Sequence, residues 1–324
     1  MTDDAPLGRI ATEHGVNLGA AINPAALRTD PSYQRIAAAE FNAITTENAL
    51  KMGPLRPSRY VYDFHDADAI VSFGRANDMY VRGHTLVWHN QTPSWFQAWD
   101  YTDAQLRTFL REHIHTLVGR YRATIDAWDV VNEAVADDGT MRETVWYDAM
   151  GEDYLEHAFR WAREVNPDVD LYYNDYGADA INPKSDAIYD LLADLLDRGV
   201  PIDGVGLQLH ALGHQPDPAS IGENIRRFRD LGLDVHITEM DVAFPADDVP
   251  ADPLEEQATY YGEVVRACLN AGCQTIVTWG VNDANSWLRG FKDFPARYTG
   301  DPLLFSDRYE RKPAYHAVRE AIAR

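Results

Sequence analysis

Eight short runs rich in β-branched and apolar residues recur along this chain with longer, helix-spaced stretches between them, and that alternation limits the fold more than any other feature. The runs are Val16 to Ile22, Phe41 to Thr46, Tyr80 to Val87, Ile125 to Asn132, Val169 to Asn174, Gly204 to Leu209, Val235 to Thr238 and Thr275 to Trp279. Between them, Tyr154 to Val165, Ser185 to Leu196, Ile221 to Leu231 and Leu254 to Leu269 place apolar residues at helical spacing. Strand and helix in turn imply parallel pairing with helices covering the sheet. A (β/α)8 barrel and a doubly wound sheet both satisfy the pattern. Eight repeats with no two-part composition favour one (β/α)8 TIM barrel over residues 1–324 with no accessory module. No Pro, Ser or Gly-rich linker divides the chain, and no solenoid or propeller period is visible.

Polar and aromatic residues gather just after the runs. In a barrel these ends meet on one face, where active sites of the fold are built. Two runs, Trp128-Asp129-Val130-Val131-Asn132-Glu133 and Val235-His236-Ile237-Thr238-Glu239-Met240-Asp241, each bring a glutamate to the end of a buried stretch. A carboxylate there is paired or working. Two of them fit acetal hydrolysis, which needs a proton donor and an anion beside the developing oxocarbenium ion. Trp88, Trp279, Trp287 and Tyr176 supply flat apolar faces for a sugar ring, and Asn48, His84, Asn132, Gln208 and Lys51 supply hydroxyl partners.

A net charge of -22 opposes nucleic acid and anionic membrane surfaces and suits a neutral partner. No apolar stretch approaches the roughly 20 residues of a membrane-spanning helix. Basic residues are almost all arginine, with lysine only at Lys51, Lys184, Lys292 and Lys312. The acidic start Met1-Thr2-Asp3-Asp4 lacks the segments of a signal peptide. An extracellular enzyme whose leader is absent from this chain is the expectation, with a cytoplasmic one as the alternative. Cys268 and Cys273 form a disulfide across a helix-to-strand turn or remain two packed thiols, and no zinc-like set accompanies them. Neither metal nor cofactor is expected, and a monomer is.

Longer motifs carry a family resemblance. Phe41 to Lys51 (Phe-Asn-Ala-Ile-Thr-Thr-Glu-Asn-Ala-Leu-Lys), Val81-Arg82-Gly83-His84-Thr85-Leu86-Val87-Trp88-His89 and the two glutamate runs resemble the signatures of glycoside hydrolase family 10, the β-1,4-xylanases. The similarity continues through Leu171 to Tyr176, Gly204 to His210, Thr278 to Val281 and Pro302 to Phe305. It implies a retaining double displacement on xylan or xylo-oligosaccharides, with Glu133 as acid/base and Glu239 as nucleophile. Asn132 then bonds the sugar 2-hydroxyl, and His210 with Asp241 orients the nucleophile. Glu47, Asn48, Lys51, His84, Trp88 and Gln91 hold the sugars on the non-reducing side. Tyr176 and Gln208 complete the site, and Trp279 with Trp287 forms a wall that crowds the hydroxymethyl group of glucose.

Departures from the family pattern are Met52, where an aromatic residue is frequent, and Leu209, where a small one is common. Leu288 to Asp301, with Phe291, Phe294 and Tyr298, reads as a surface insertion or as a lid over the distal non-reducing subsites. Three alternatives stand beside the xylanase reading: a β-1,4-glucan or mixed-specificity hydrolase, a non-catalytic sugar-binding protein, and a metal-dependent barrel hydrolase.

Overall fold

The structure, a computed structural model, describes residues 5–290, 297–298 and 301–324. Its strands are β1 (Asn17–Ala21), β2 (Ala43–Thr45), β3 (Tyr80–Val87), β4 (Ala127–Asn132), β5 (Asp170–Asp175), β6 (Gly204–Leu207), β7 (His210–Leu212), β8 (Asp234–Ala243) and β9 (Thr275–Thr278). All pair in parallel, and β6 pairs with β8 to close an eight-stranded (β/α)8 barrel. The expected alternation is therefore realised.

Most strand boundaries lie within two residues of expectation, and two of the differences shape the site. The sixth run does not continue to Leu209, because the backbone turns at that residue with φ +59°. It resumes as β7, whose His210 to Leu212 pair with Asp241 to Ala243. That extra partner extends β8 to Ala243, so Glu239 and Asp241 lie within the strand rather than beyond it.

Five helix starts are set by an Asx-Pro pair. Asn23, Asp30, Asn182, Asp217 and Asp252 each precede a proline and accept a backbone N–H of the first helical turn. The cap satisfies an orphan donor while proline presets φ, an effect of about 1 kcal/mol per cap. This is why helices Pro183–Asp197 and Pro218–Asp230 begin two or three residues before their apolar periodicity does.

The barrel interior is polar at its centre. Arg82 and Asp129 form a buried ion pair, Arg82 also meets His236, and the Tyr172 hydroxyl lies 3.0 Å from His236 Nε2. Charged groups this deep are tolerated because each has a partner. Cys268 and Cys273, left open by their spacing, are joined as a disulfide with Cα atoms 5.0 Å apart. Among the described residues no helix is long and apolar enough to cross a membrane.

Candidate active site

Glu239 sits on β8, fully enclosed by neighbours that each address its carboxylate. Asn174 Nδ2 donates to Oε1 at 2.9 Å, and His210 Nε2 lies 3.2 Å from Oε2. His84 Nδ1 is 3.9 Å from Oε1. Burial by itself raises a carboxyl, but His84, the His210 hydrogen bond and charge, and Lys51 outweigh it and hold Glu239 at about 2. His210 is the counterpart. Burial disfavours its cation, yet Asp241 at 2.9 Å from Nδ1 and Glu239 beyond Nε2 push it up to about 10. An imidazolium between two carboxylates follows. Trp287 Nε1 donates to the other Asp241 oxygen at 2.7 Å, which fixes Asp241 from behind.

Glu133 stands just past β4 with φ +59°. A bulky residue in that region is uncommon and marks a place where the surroundings dictate direction. Its backbone N–H donates to Asn174 O at 2.8 Å and Arg142 Nε donates to its carbonyl at 3.0 Å, so the turn is held from both sides. The carboxylate accepts from Trp88 Nε1 at 2.8 Å, and from Gln208 and Asn132 amides at 3.2 Å each. Asn132 Oδ1 accepts from Gln208 at 3.1 Å and from Asn174 at 2.9 Å. A continuous run of amides thus joins the two glutamates across the mouth of the barrel.

A cleft of about 680 Å³ opens above them. Asn48, Lys51, His84, Trp88, Gln91, Asn132, Glu133, Tyr176, Gln208, His210, Glu239, Trp279 and Trp287 all line it. Glu47 and Asp241 do not reach its surface. Glu47 supports from beneath, its carboxyl taking an N–H from Asn48 at 2.9 Å, and burial pushes it up to about 7 against the pull of Lys51. Lys51 Nζ donates to Asn48 Oδ1 at 2.8 Å and lies 4.6 Å from the centre of the Trp88 ring. Burial lowers its pKa although three glutamates oppose that shift.

Register shifts explain how neighbouring residues share the inner face. Side chains of a regular strand alternate, so Asp129 and Asn132 belong on opposite faces. The β4 pairing shifts between Asp129 and Val131, and both residues point inward. The same shift occurs on β8 between Ile237 and Met240. There Thr238 and Glu239 both reach Asn174.

Several participants escaped the sequence reading. The sequence marks Asn174 only as the end of a strand, although it touches Asn132, Glu239 and Thr238. Asp129 orients His84 through a 2.9 Å bond to Nδ1. Arg142 enters the cleft beside Tyr176, whose hydroxyl it meets at 3.0 Å. Only the acid within the buried Trp128-Asp129-Val130 run offered a signal. Asp179 accepts the backbone N–H of Leu209 at 2.8 Å and holds the turn there, a contact that does not depend on the size of the side chain. Of the expected lid, Phe291 and Phe294 lie outside the described residues. Tyr298 bridges to Pro245, with Arg297 O accepting from Ala246, at the end of β8.

Comparison with known proteins agrees with this geometry. The family model described as glycosyl hydrolase family 10 matches residues 7–321. Endo-1,4-beta-xylanase B of Thermotoga neapolitana is 39% identical over 99% of this chain and 92% of its own. A beta-1,4-xylanase of Dictyoglomus thermophilum is 42% identical over 88% of this chain and 83% of its own. Among solved structures, xylanase 10B of Thermotoga petrophila RKU-1 in complex with xylobiose superposes with a TM-score of 0.93 at 38% identity, covering 99% and 98% of the two chains. With a family model spanning nearly its full length, the chain belongs to glycosyl hydrolase family 10.

Proposed function

We propose that this protein is an endo-1,4-β-xylanase that cleaves internal bonds of xylan or xylo-oligosaccharides with retention of configuration. Glu239 attacks the anomeric carbon, the glycosidic C–O bond breaks, and the leaving oxygen takes the proton of Glu133. Water then loses a proton to Glu133 and displaces Glu239. Asn132 bonds the 2-hydroxyl beside the nucleophile, an interaction that strengthens as charge develops at the ring. Trp279 and Trp287 crowd a hydroxymethyl group, so discrimination against glucose is steric and modest, about 1 to 3 kcal/mol.

The observation that carries this reading is one cleft shared by two different carboxyls. Glu239 is held ionised by cations, as a nucleophile requires, while Glu133 lies half-buried against an indole N–H, where a leaving group arrives. The names of the relatives support the substrate class. A reducing-sugar assay on xylan and on aryl glycosides tests the roles. Glu239→Ala is expected to lose all activity. Glu133→Ala loses about 10² to 10⁴ on xylan yet keeps some cleavage of aryl glycosides with good leaving groups. Wild-type turnover by both variants ends the proposal, and faster cleavage of cello-oligomers than of xylan reassigns the substrate.

A further inference from the structure

A second groove, of about 1240 Å³, lies apart from the cleft and shares none of its lining residues. One wall is the segment Arg56 to Tyr62, the continuation of the loop that carries Asn48 and Lys51 into the cleft. The opposite wall is helix Asp103–Arg120, which presents Arg107 and Arg111. Arg56 forms the floor. It is only 5% exposed and lies between the rings of Tyr62 and Phe109, 4.4 and 4.2 Å from their centres. Its Nε and Nη1 have no hydrogen-bond partner among the described residues.

Charge and shape are unusual here for this molecule. The chain carries -22 overall, yet four arginines line this groove and Glu112 is the one acid among its lining residues. Arg111 is partly neutralised by Glu164 at 3.0 Å. Arg59 and Arg107 make no ion pair among the described residues, and Arg59 rests 3.8 Å from the centre of the Trp99 ring. Tyr60 at the lip is 84% exposed. An exposed tyrosine face matches the flat apolar side of a sugar ring, and a guanidinium matches a carboxylate through two parallel hydrogen bonds. A densely charged polyanion is disfavoured by the field of the whole protein, whereas a mostly neutral strand with scattered carboxylates is not.

We propose that this groove is a non-catalytic site for a β-1,4-linked xylan strand bearing uronic acid groups, Tyr60 stacking on a sugar and Arg59 and Arg107 holding a carboxylate. The identity of the backbone rests on the xylanase reading above. Such a site keeps the polymer on the enzyme between cuts and leaves short neutral substrates unaffected.

Affinity electrophoresis of the full chain tests this, in the Glu239→Ala background so that polymer survives in the gel. Glucuronoxylan is expected to retard the protein, and adding Tyr60→Ala with Arg107→Ala to weaken apparent binding about tenfold, to the level given by carboxyl-reduced xylan. Equal retardation with and without these two substitutions overturns the proposal, as does equal retardation by carboxyl-reduced xylan. Equal binding of polygalacturonate reduces the groove to a charge effect and also overturns it. In an otherwise wild-type chain the same pair leaves xylotetraose hydrolysis unchanged. Failure of the wild-type chain to cut xylotetraose counts against the catalytic reading alone, since the groove is judged by retardation.

Discussion

At residue scale the site is governed by one half-buried imidazolium. His210 bridges Glu239 and Asp241, and each partner makes the other charges tolerable where burial opposes them. The pH consequences have definite signs. Glu239 is lowered from 4.5 to about 2, so its contribution to stability is complete above about 4.5 and is lost as pH falls toward 2. His210 is raised from 6.5 to about 10, so its contribution is complete below 6.5 and is lost as pH rises through 10. The two windows overlap between about pH 4.5 and 6.5, where thermal stability is expected to peak so far as this pair decides it. Asp241→Asn removes the carboxylate that contributes most to holding the His210 cation, so its melting temperature should begin to fall at a lower alkaline pH than that of wild type. Melting curves across pH check this, and identical alkaline limbs contradict the imidazolium assignment. Glu133 and Glu239 were legible from their runs. Asn174 and Asp129 were not, because an amide or acid in a strand reveals its partners only when strands distant in sequence meet.

At the scale of elements, the site depends on how closely β5 and β6 approach. Asn174 is paired in register with Gly206, and a Cβ at Gly206 would stand 2.2 Å from Asn174 Oδ1. Glycine is required there because a methyl group displaces the amide that bonds Glu239. Gly206→Ala is therefore expected to lower kcat about ten- to a hundredfold, the effect of losing a hydrogen bond to an ionised group. The overpacking cost to stability is about 1 to 3 kcal/mol. Steady-state kinetics beside a urea melt separates the two effects. A variant that loses stability but keeps wild-type kcat shows that Asn174 does not act on the nucleophile. The strands themselves followed from β-branched runs, whereas apolar periodicity placed two helix starts two or three residues late because an Asx-Pro cap carries no apolar signal. The register shifts in β4 and β8 did not follow, since a bulge is a property of two paired strands and neither sequence alone encodes it.

Across the whole molecule, 51 acidic residues outnumber 29 basic ones, and the resulting charge of -22 is spread over the surface. Self-repulsion on that surface is screened once the Debye length falls to about 10 Å, near 0.1 M salt. The melting temperature is expected to rise as sodium chloride increases from roughly 0.01 M to 0.5 M, a range over which that length shrinks severalfold. Calorimetry reads this directly, and a flat or falling curve contradicts a repulsion-limited fold. Alternation of strand and helix determined a parallel sheet with covering crossovers, and eight repeats without a two-part composition favoured its closure into a barrel. Composition determined which partners the charge repels, and the two glutamate runs determined the chemistry. Tertiary structure decided the rest: the amides that link Glu133 to Glu239, the inward turn of Asp129, and the convergence of Arg56, Arg59, Arg107 and Arg111 on one groove. Each of these joins side chains from different elements, and the direction of a side chain is fixed by its packing neighbours and pairing register, which a linear sequence does not contain.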